Sequence, residues 1–232
     1  MLQLRTWAAL GGGDHGWLKA RHHFAVDRQG NPSHTPLGCL VVWNDDEIAP
    51  HSGFPLHAHR DMEIVTYVRA GVLQHEDNSG GHGEIRAGSV QAFSAGRGIR
   101  HSEYNGSDTP LRLFQIWLLP RHRGIDPRWS TKPFADAQRV GQLVTLASGF
   151  PEDEAALQID ADARVLGATI EAGQSIEYPL SSGRYGYLVP ARGSVMVNEQ
   201  HVGERDGIAI TGEPAISITA LETAEIVLVD AA

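Results

Sequence analysis

Short runs rich in Val, Ile and Leu, separated by glycine and proline, recur along this chain of 232 residues. Four of them are LGCLVVWND, EIVTYVRAGVLQHE, GEIRAGSVQAFSAG and LRLFQIWLLP. The 26 glycines and 12 prolines fall between such runs, and helix candidates are few. β-Branched residues favour strands, and closely spaced turn signals are typical of antiparallel sandwiches and barrels. The sequence therefore predicts an all-β fold of short antiparallel strands with few short helices.

Two segments depart from this pattern. PEDEAALQID, from Pro151 to Asp160, favours a short helical turn. PRHRGIDPRWSTKPF, from Pro120 to Phe134, shows no clear hydrophobic period and is predicted to connect two halves of the chain.

The second half of the chain repeats the first in order. YVRAGVLQHED, which begins at Tyr67, resembles LVPARGSVMVNEQ, which begins at Leu188, with Gly71 opposite Gly193. GEIRAGSVQAF, from residue 83, likewise resembles GERDGIAIT, from residue 203. Each half thus offers a strand, a glycine turn, a strand and a second hairpin. We predict two tandem β-modules, at 1–120 and 136–232, joined by a connector at 121–135.

Composition excludes some functional classes. The chain has 19 basic and 28 acidic residues, a formal net charge of -9, which argues against a broad nucleic-acid interface and allows a protein partner. Cys39 is the single cysteine, so an intrachain disulfide is impossible and a reducing compartment is expected. The sequence contains neither an apolar secretory signal nor a run of about 18 apolar residues. We expect a soluble cytoplasmic protein.

The segment GFPLHAHRDMEIVTYV, from Gly53, places His57 and His59 two residues apart. On a strand such residues lie on one face with their Cα atoms about 7 Å apart. Pro55 disfavours a helix here, and the run from Val65 to Val68 favours a strand. Two imidazoles on one face can share a metal ion.

A second pair with the same spacing, His101 and Glu103, lies in SAGRGIRHSEYN. A strand that folds back beside the first pair brings three imidazoles and one carboxylate together, and Gly96 and Gly98 allow the backbone to bend. With twelve histidines in the chain, one H-x-H pair is expected by chance. Two same-face pairs in one β-module favour a metal site over chance.

These segments, together with LFQIWLLP and DHGWLKARHHF, resemble signatures of the pirin family, a branch of the cupin superfamily. The resemblance is closest to bacterial pirin-like proteins with quercetin 2,3-dioxygenase activity. It implies a bicupin of two tandem antiparallel jelly-roll barrels. It also implies one metal in the N-terminal barrel, held by His57, His59, His101 and Glu103.

The glycine correspondence bears on the second barrel. A shift by the spacing of Gly71 and Gly193 puts Pro179 and Ser181 where the H-x-H pair stands in the first half. The C-terminal barrel is therefore expected to lack metal ligands.

Five further residues are interpreted as structural. His22 and His23 are expected to pack or to form hydrogen bonds, and Glu63 to make a structural hydrogen bond. Cys39, within an apolar run, is expected to be an inert buried thiol. His75 is expected at a solvated strand end, with an orienting role beside a metal ligand as the alternative.

The predicted ligands suit Fe, Ni, Cu, Mn, Co or Zn, and iron(II) is the first choice because zinc offers no redox chemistry. Our leading hypothesis is a dioxygenase that cleaves a flavonol-type aromatic hydroxy-ketone with O2, with Glu103 as ligand, base or both. The resemblance also allows a metal- or redox-sensing regulatory module that binds a protein partner without turnover. A third hypothesis is a non-oxidative cupin such as an isomerase. We expect a monomer or weak dimer.

Overall fold

The computed structural model describes residues 1–25, 30–134 and 139–232. A 3-10 helix covers Trp7–Ala9. The strands are β1 Leu2–Arg5, β2 Gly11–Asp14, β3 Leu18–His22, β4 Leu40–Ile48, β5 Ser52–His59, β6 Glu63–Ala70, β7 Val72–Asp77, β8 His82–Arg86, β9 Ser89–Ser94, β10 Ile99–Asn105, β11 Leu111–Leu118, β12 Arg128–Pro133, β13 Val144–Ser148, β14 Leu157–Gln158, β15 Ala163–Ile170, β16 Ser175–Pro179, β17 Tyr185–Arg192, β18 Val195–Val197, β19 Gln200–Val202, β20 Gly207–Thr211, β21 Ala215–Ala220 and β22 Ala224–Ala231.

The strands form two barrels, each made of a large sheet and a small sheet. In the first barrel the large sheet has the order β12-β9-β6-β11-β4-β3-β2 and the small sheet the order β5-β10-β7-β8. In the second, the orders are β1-β20-β17-β22-β15-β13-β14 and β16-β21-β18-β19. The all-β fold of two jelly-roll barrels is confirmed. Within the described ranges, the chain has no helix that is both long and apolar enough to cross a membrane.

The internal repeat is visible at its glycine turns. Gly71 joins β6 to β7 with a φ of 84°, and Gly193 joins β17 to β18 with a φ of 73°. A positive φ favours glycine because a side chain clashes in that conformation. The two glycines therefore mark the same turn in each barrel.

The two large sheets pack face to face and bury an extensive apolar core between the barrels. The ring of Trp43 on β4 lies 5.4 Å from that of Phe114 on β11 and 5.4 Å from that of Tyr187 on β17. Each large sheet thus has one face against the other barrel and one against its own small sheet. Central strands such as β11 are consequently buried on both faces along most of their length.

The interiors of the two barrels differ in chemistry. The second is filled by aliphatic side chains from both of its sheets. The first has two smaller apolar clusters, and its buried polar side chains include Thr66, His75, Gln91, His101 and Glu103. Since a buried polar group is costly unless it is hydrogen-bonded, this contrast directs attention to the first barrel.

The expected helical turn at Pro151–Asp160 is wrong. Turns lead into the short strand β14, which pairs in parallel with β13. The Asp153 carboxylate accepts hydrogen bonds from the Ser148 hydroxyl and from Arg164 Nε. These tertiary contacts outweigh the marginal stability of a segment too short to form a helix on its own.

The expected irregular connector contains a strand. β12 pairs antiparallel with β9 along its whole length and forms the outer edge of the first large sheet. Its side chains are mostly exposed, so no apolar period marks it in the sequence. Pro133 ends the strand at an edge, where a missing backbone donor is tolerated.

The predicted division at 1–120, 121–135 and 136–232 stays a prediction, and its boundary at 135/136 lies outside the described residues. Strand pairing shows that the barrels share the start of the chain. β1 pairs antiparallel with β20 and so completes the large sheet of the second barrel, whereas β2 belongs to the first.

Candidate metal centre

The H-x-H pair lies on β5, the edge strand of the small sheet, directly beside β10. His57 is opposite His101 in the antiparallel register, and His59 is opposite Ile99. The register between β5 and β10 shifts on the N-terminal side of His57, where the exposed residues Pro55 and Leu56 form a bulge. Proline is tolerated on an edge strand and at a bulge.

The three histidines converge. One ring nitrogen from each of His57, His59 and His101 lies within 4.8 Å of the other two. The ring centroids are 4.4 Å apart for His57 and His101, 4.8 Å for His57 and His59, and 5.0 Å for His59 and His101. The predicted same-face arrangement of the H-x-H pair is therefore present.

Glu103 is buried on the same face of β10 as His101, but its carboxylate is outside the 4.8 Å group. Its Oε2 accepts a hydrogen bond of 2.9 Å from Gln115 Nε2. Its Oε1 is buried without a hydrogen-bond partner. Of the four predicted ligands, the structure brings three together, and the fourth is buried on the same face of β10 as His101 with one oxygen that has no hydrogen-bond partner.

Burial sets the protonation states of these groups. It lowers the pKa of His101 to about 3, with further lowering from His57, His59 and His75. It lowers the pKa of His59 to about 4, with a smaller contribution from His57. Burial raises the pKa of Glu103 to about 7, against the hydrogen bond from Gln115. Neutral imidazoles are the form that binds metals, and a nearby cation would favour the ionised carboxylate.

A chain of hydrogen bonds fixes which nitrogen of His101 is free. His75 Nε2 lies 3.2 Å from Asp77 Oδ2, and His75 Nδ1 lies 3.4 Å from His101 Nδ1. A carboxylate only accepts, so His75 donates from Nε2 and accepts at Nδ1, and His101 donates from Nδ1. His101 Nε2 then carries a lone pair, and it is buried without a partner. In His57, Nδ1 likewise donates to the Pro55 carbonyl oxygen at 2.8 Å and leaves Nε2 free.

The donor set fits a divalent transition ion. Imidazole nitrogens whose other nitrogen is hydrogen-bonded are the usual form of histidine ligands. The free Nε2 of His101 and the free Oε1 of Glu103 are buried acceptors that need a partner. A cation satisfies both.

The expectation that His75 lies at a solvated strand end is wrong. Its side chain and that of Asp77 are closed off from solvent, because β7 pairs with β10 on one side and β8 on the other. The register places His75 opposite Glu103 and Asp77 opposite His101. The alternative, an orienting role beside His101, matches this geometry.

We predict that Asp77→Asn weakens metal binding about 10- to 100-fold, the usual effect of losing a partner of a histidine ligand. Burial raises the pKa of Asp77, but hydrogen bonds from Ser79, His75 and Gly81 outweigh it and lower the pKa overall. The native side chain is thus an ionised acceptor, whereas an amide can also donate and lets His75 change tautomer. Isothermal titration with Ni²⁺ measures the effect. Affinity equal to that of the wild type would contradict the assigned chain.

An aromatic surface flanks the histidines. Phe93 stacks on His101 at 4.6 Å with an interplanar angle of 12°. Trp117 lies edge-on to His59 at 5.0 Å, and Trp129 lies 4.9 Å from His75. The two tryptophans remain partly exposed and so can contact a bound molecule. Sequence reasoning missed Trp129 because it lies on β12, where no period marked a strand.

Comparison with known proteins decides the family. A family profile described as Pirin matches residues 3–118, and one described as Quercetinase C-terminal cupin domain matches residues 145–231. This chain belongs to the pirin family. The resemblance found in the H-x-H and H-x-E segments is confirmed, and the two barrels are cupin domains.

Pirin relatives match along the whole chain. A pirin-like protein of Caulobacter vibrioides is 54% identical over 232 residues, which cover 100% of both chains. A protein of Escherichia coli strain K12 named quercetin 2,3-dioxygenase is 36% identical over 231 residues, 99% of this chain and 98% of that one. The solved structure of the bacterial pirin YhhW from Escherichia coli, in complex with nickel(II), has a TM-score of 0.93 at 35% identity, with 100% and 99% of the chains covered.

The interpretation of Glu63, His22 and His23 as structural residues holds in this pirin. Glu63 accepts hydrogen bonds from the Ser94 hydroxyl and a backbone amide. His22 Nδ1 lies 2.8 Å from the Asn44 side-chain oxygen, and His23 Nδ1 lies 2.8 Å from the Tyr187 hydroxyl. The expected burial of Cys39 is wrong, since the side chain is only half-buried; burial nevertheless raises the pKa of its thiol, which favours the protonated form.

Proposed function

We propose that His57, His59, His101 and Glu103 hold one divalent transition ion, iron(II) in the cell, and that the chain cleaves a flavonol-type substrate with O2. The convergence of three imidazole nitrogens within 4.8 Å carries this proposal. The relative named quercetin 2,3-dioxygenase and the nickel(II) complex of a bacterial pirin support it, since each matches the chain from end to end.

The ion would supply Lewis acidity toward the substrate's hydroxyl and carbonyl oxygens and one-electron chemistry toward O2. Glu103 would hold the ion through Oε1 or, released from the ion, accept the substrate's hydroxyl proton at that same oxygen as general base. Its Oε2 stays bound to Gln115 during that transfer. Trp117 and Trp129 offer flat apolar surfaces for the aromatic rings of the substrate.

We predict that metal-free protein reloaded with iron(II) consumes O2 and quercetin together, and that protein reloaded with zinc does not, because zinc is redox-inactive. An oxygen electrode and quercetin absorbance measure the two losses. With ¹⁸O2, a dioxygenase places both labelled atoms in the ring-opened product. Equal rates for iron-loaded, zinc-loaded and metal-free protein would refute the activity. Metal binding that changes affinity for a protein partner, without O2 uptake, would favour the regulatory module instead.

A further inference from the structure

One row of polar side chains crosses the large sheet of the first barrel. Gln115 on β11 is opposite Thr66 on β6, and Thr66 is opposite Gln91 on β9. Residues directly opposite in an antiparallel pair lie on the same face of the sheet. The three side chains therefore share one row on the interior face, and all three are buried.

The second barrel has the same row with different chemistry. Its strands β20, β17 and β22 stand in the order of β9, β6 and β11. The glycine correspondence places Leu188 at the position of Thr66, and Leu188 is opposite Leu228 on β22 and Ile208 on β20. Leu228 thus occupies the position of Gln115. The fold itself does not require an amide there.

Gln115 connects the rim of the site to Glu103. Its Oε1 accepts a hydrogen bond from Trp117 Nε1 at 2.9 Å, and its Nε2 donates to Glu103 Oε2 at 2.9 Å. An indole N–H only donates and a carboxylate only accepts, so both ends fix the same orientation of the amide. Glu103 is held through Oε2, and Oε1 is the oxygen left free.

We propose that Gln115 is a positioning residue, held in place by Trp117, that orients the Glu103 carboxylate so that Oε1 is available to the metal ion. This inference rests on the metal site of the proposed function but not on its substrate. It explains why a buried amide stands where the second barrel has a leucine. Thr66, the neighbour of Gln115 in the row, has no hydrogen-bond partner for its buried hydroxyl and so does not hold Glu103 by a hydrogen bond.

The test compares three variants of the full chain. Gln115→Leu introduces the residue of the equivalent position, Trp117→Phe removes the indole N–H and keeps a smaller aromatic ring, and Thr66→Val is the matched control in the same row. Ni²⁺ affinity is measured by titration of metal-free protein, and the visible spectrum of the Co²⁺-loaded form reports the coordination geometry. Melting of the metal-free form checks the fold.

We expect Gln115→Leu to weaken Ni²⁺ binding about 10- to 100-fold and to alter the Co²⁺ spectrum, as loss of a ligand's hydrogen-bond partner does. Trp117→Phe should produce the same spectral change with a smaller loss of affinity. Thr66→Val should leave both readouts unchanged and should not lower the melting temperature, because it removes an unpaired polar group.

Three results would overturn the inference. The first is that both Gln115→Leu and Trp117→Phe show the Ni²⁺ affinity and the Co²⁺ spectrum of the wild type. If Gln115→Leu does not fold, the result for Trp117→Phe alone decides. Another is an equal loss in Thr66→Val, which indicates a general effect of the barrel interior. The third is wild-type protein that binds neither ion, which removes the metal site of the proposed function as well. Intact metal binding without flavonol cleavage leaves the inference standing and refutes only the substrate.

Discussion

His101→Ala is expected to weaken binding of a divalent transition ion by more than about 100-fold and to abolish metal-dependent O2 uptake. Loss of a group that merely orients a ligand costs about 10- to 100-fold, so loss of the ligand itself should exceed that range. His101 is the most buried of the three histidines, at 1% exposure, and one of its ring nitrogens belongs to the 4.8 Å group. Titration of metal-free protein with Ni²⁺ and oxygen-electrode measurements with iron(II) test both parts.

The matched control is His82→Ala. His82 lies on β8 of the same small sheet, is exposed, and does not belong to the histidine cluster. The His82→Ala variant should bind Ni²⁺ as tightly as the wild type. A loss of Ni²⁺ affinity in His101→Ala then reflects the position of His101 and not the number of histidines in the chain. His101 also stacks on Phe93, and circular dichroism of the metal-free variant separates unfolding from loss of a ligand. Undiminished affinity in folded His101→Ala would refute the centre.

The histidine cluster was predictable because its geometry depends on short-range periodicity. Side chains two residues apart on a strand lie on the same face of the sheet, independent of the rest of the fold. His75 was not predictable, because its burial depends on β10 as a neighbour, and that pairing joins segments about 26 residues apart. The bulge at Pro55 could not be predicted from the sequence either. It shifts the register of β5 between the partners of His101 and Glu103.

Large-scale features divide in the same way. The repeat could be predicted because a turn with a positive φ favours glycine, so that Gly71 and Gly193 can be recognised in the sequence as equivalent positions. The exposed edge strand β12 could not be predicted, and neither could the pairing of β1 with the second barrel. Neither feature changes the local period of apolar residues. The polar row through Gln115 becomes visible only when the two sheets are aligned by their registers.

Asp45→Asn is expected to lower the free energy of unfolding by about 3–5 kcal/mol, the usual result of breaking a buried ion pair on one side. Asp45, on β4, is fully buried and accepts hydrogen bonds from Arg69 on β6 and, at 2.5 Å, from Arg205. Arg205 precedes β20, so this carboxylate joins the two barrels. Burial lowers the pKa of Arg69, and Asp45 opposes that lowering.

An asparagine keeps the shape of Asp45 but presents N–H groups toward cations that also only donate. Urea unfolding at neutral pH measures the loss. The control is Glu47→Gln, two residues along β4, where the partners Lys19 and Arg112 are largely exposed and less than about 1 kcal/mol should be lost.

A second substitution separates pairing from packing. If the cost of Asp45→Asn comes from leaving Arg69 charged and buried, then Asp45→Asn with Arg69→Met should recover part of the stability, because the uncompensated charge is gone. If the double variant is less stable than Asp45→Asn alone, the stabilisation lies in contacts of the Arg69 side chain, such as its position 4.5 Å from the Phe114 ring. A loss below about 1 kcal/mol in Asp45→Asn itself would mean that the apolar core between the large sheets holds the barrels together without this link.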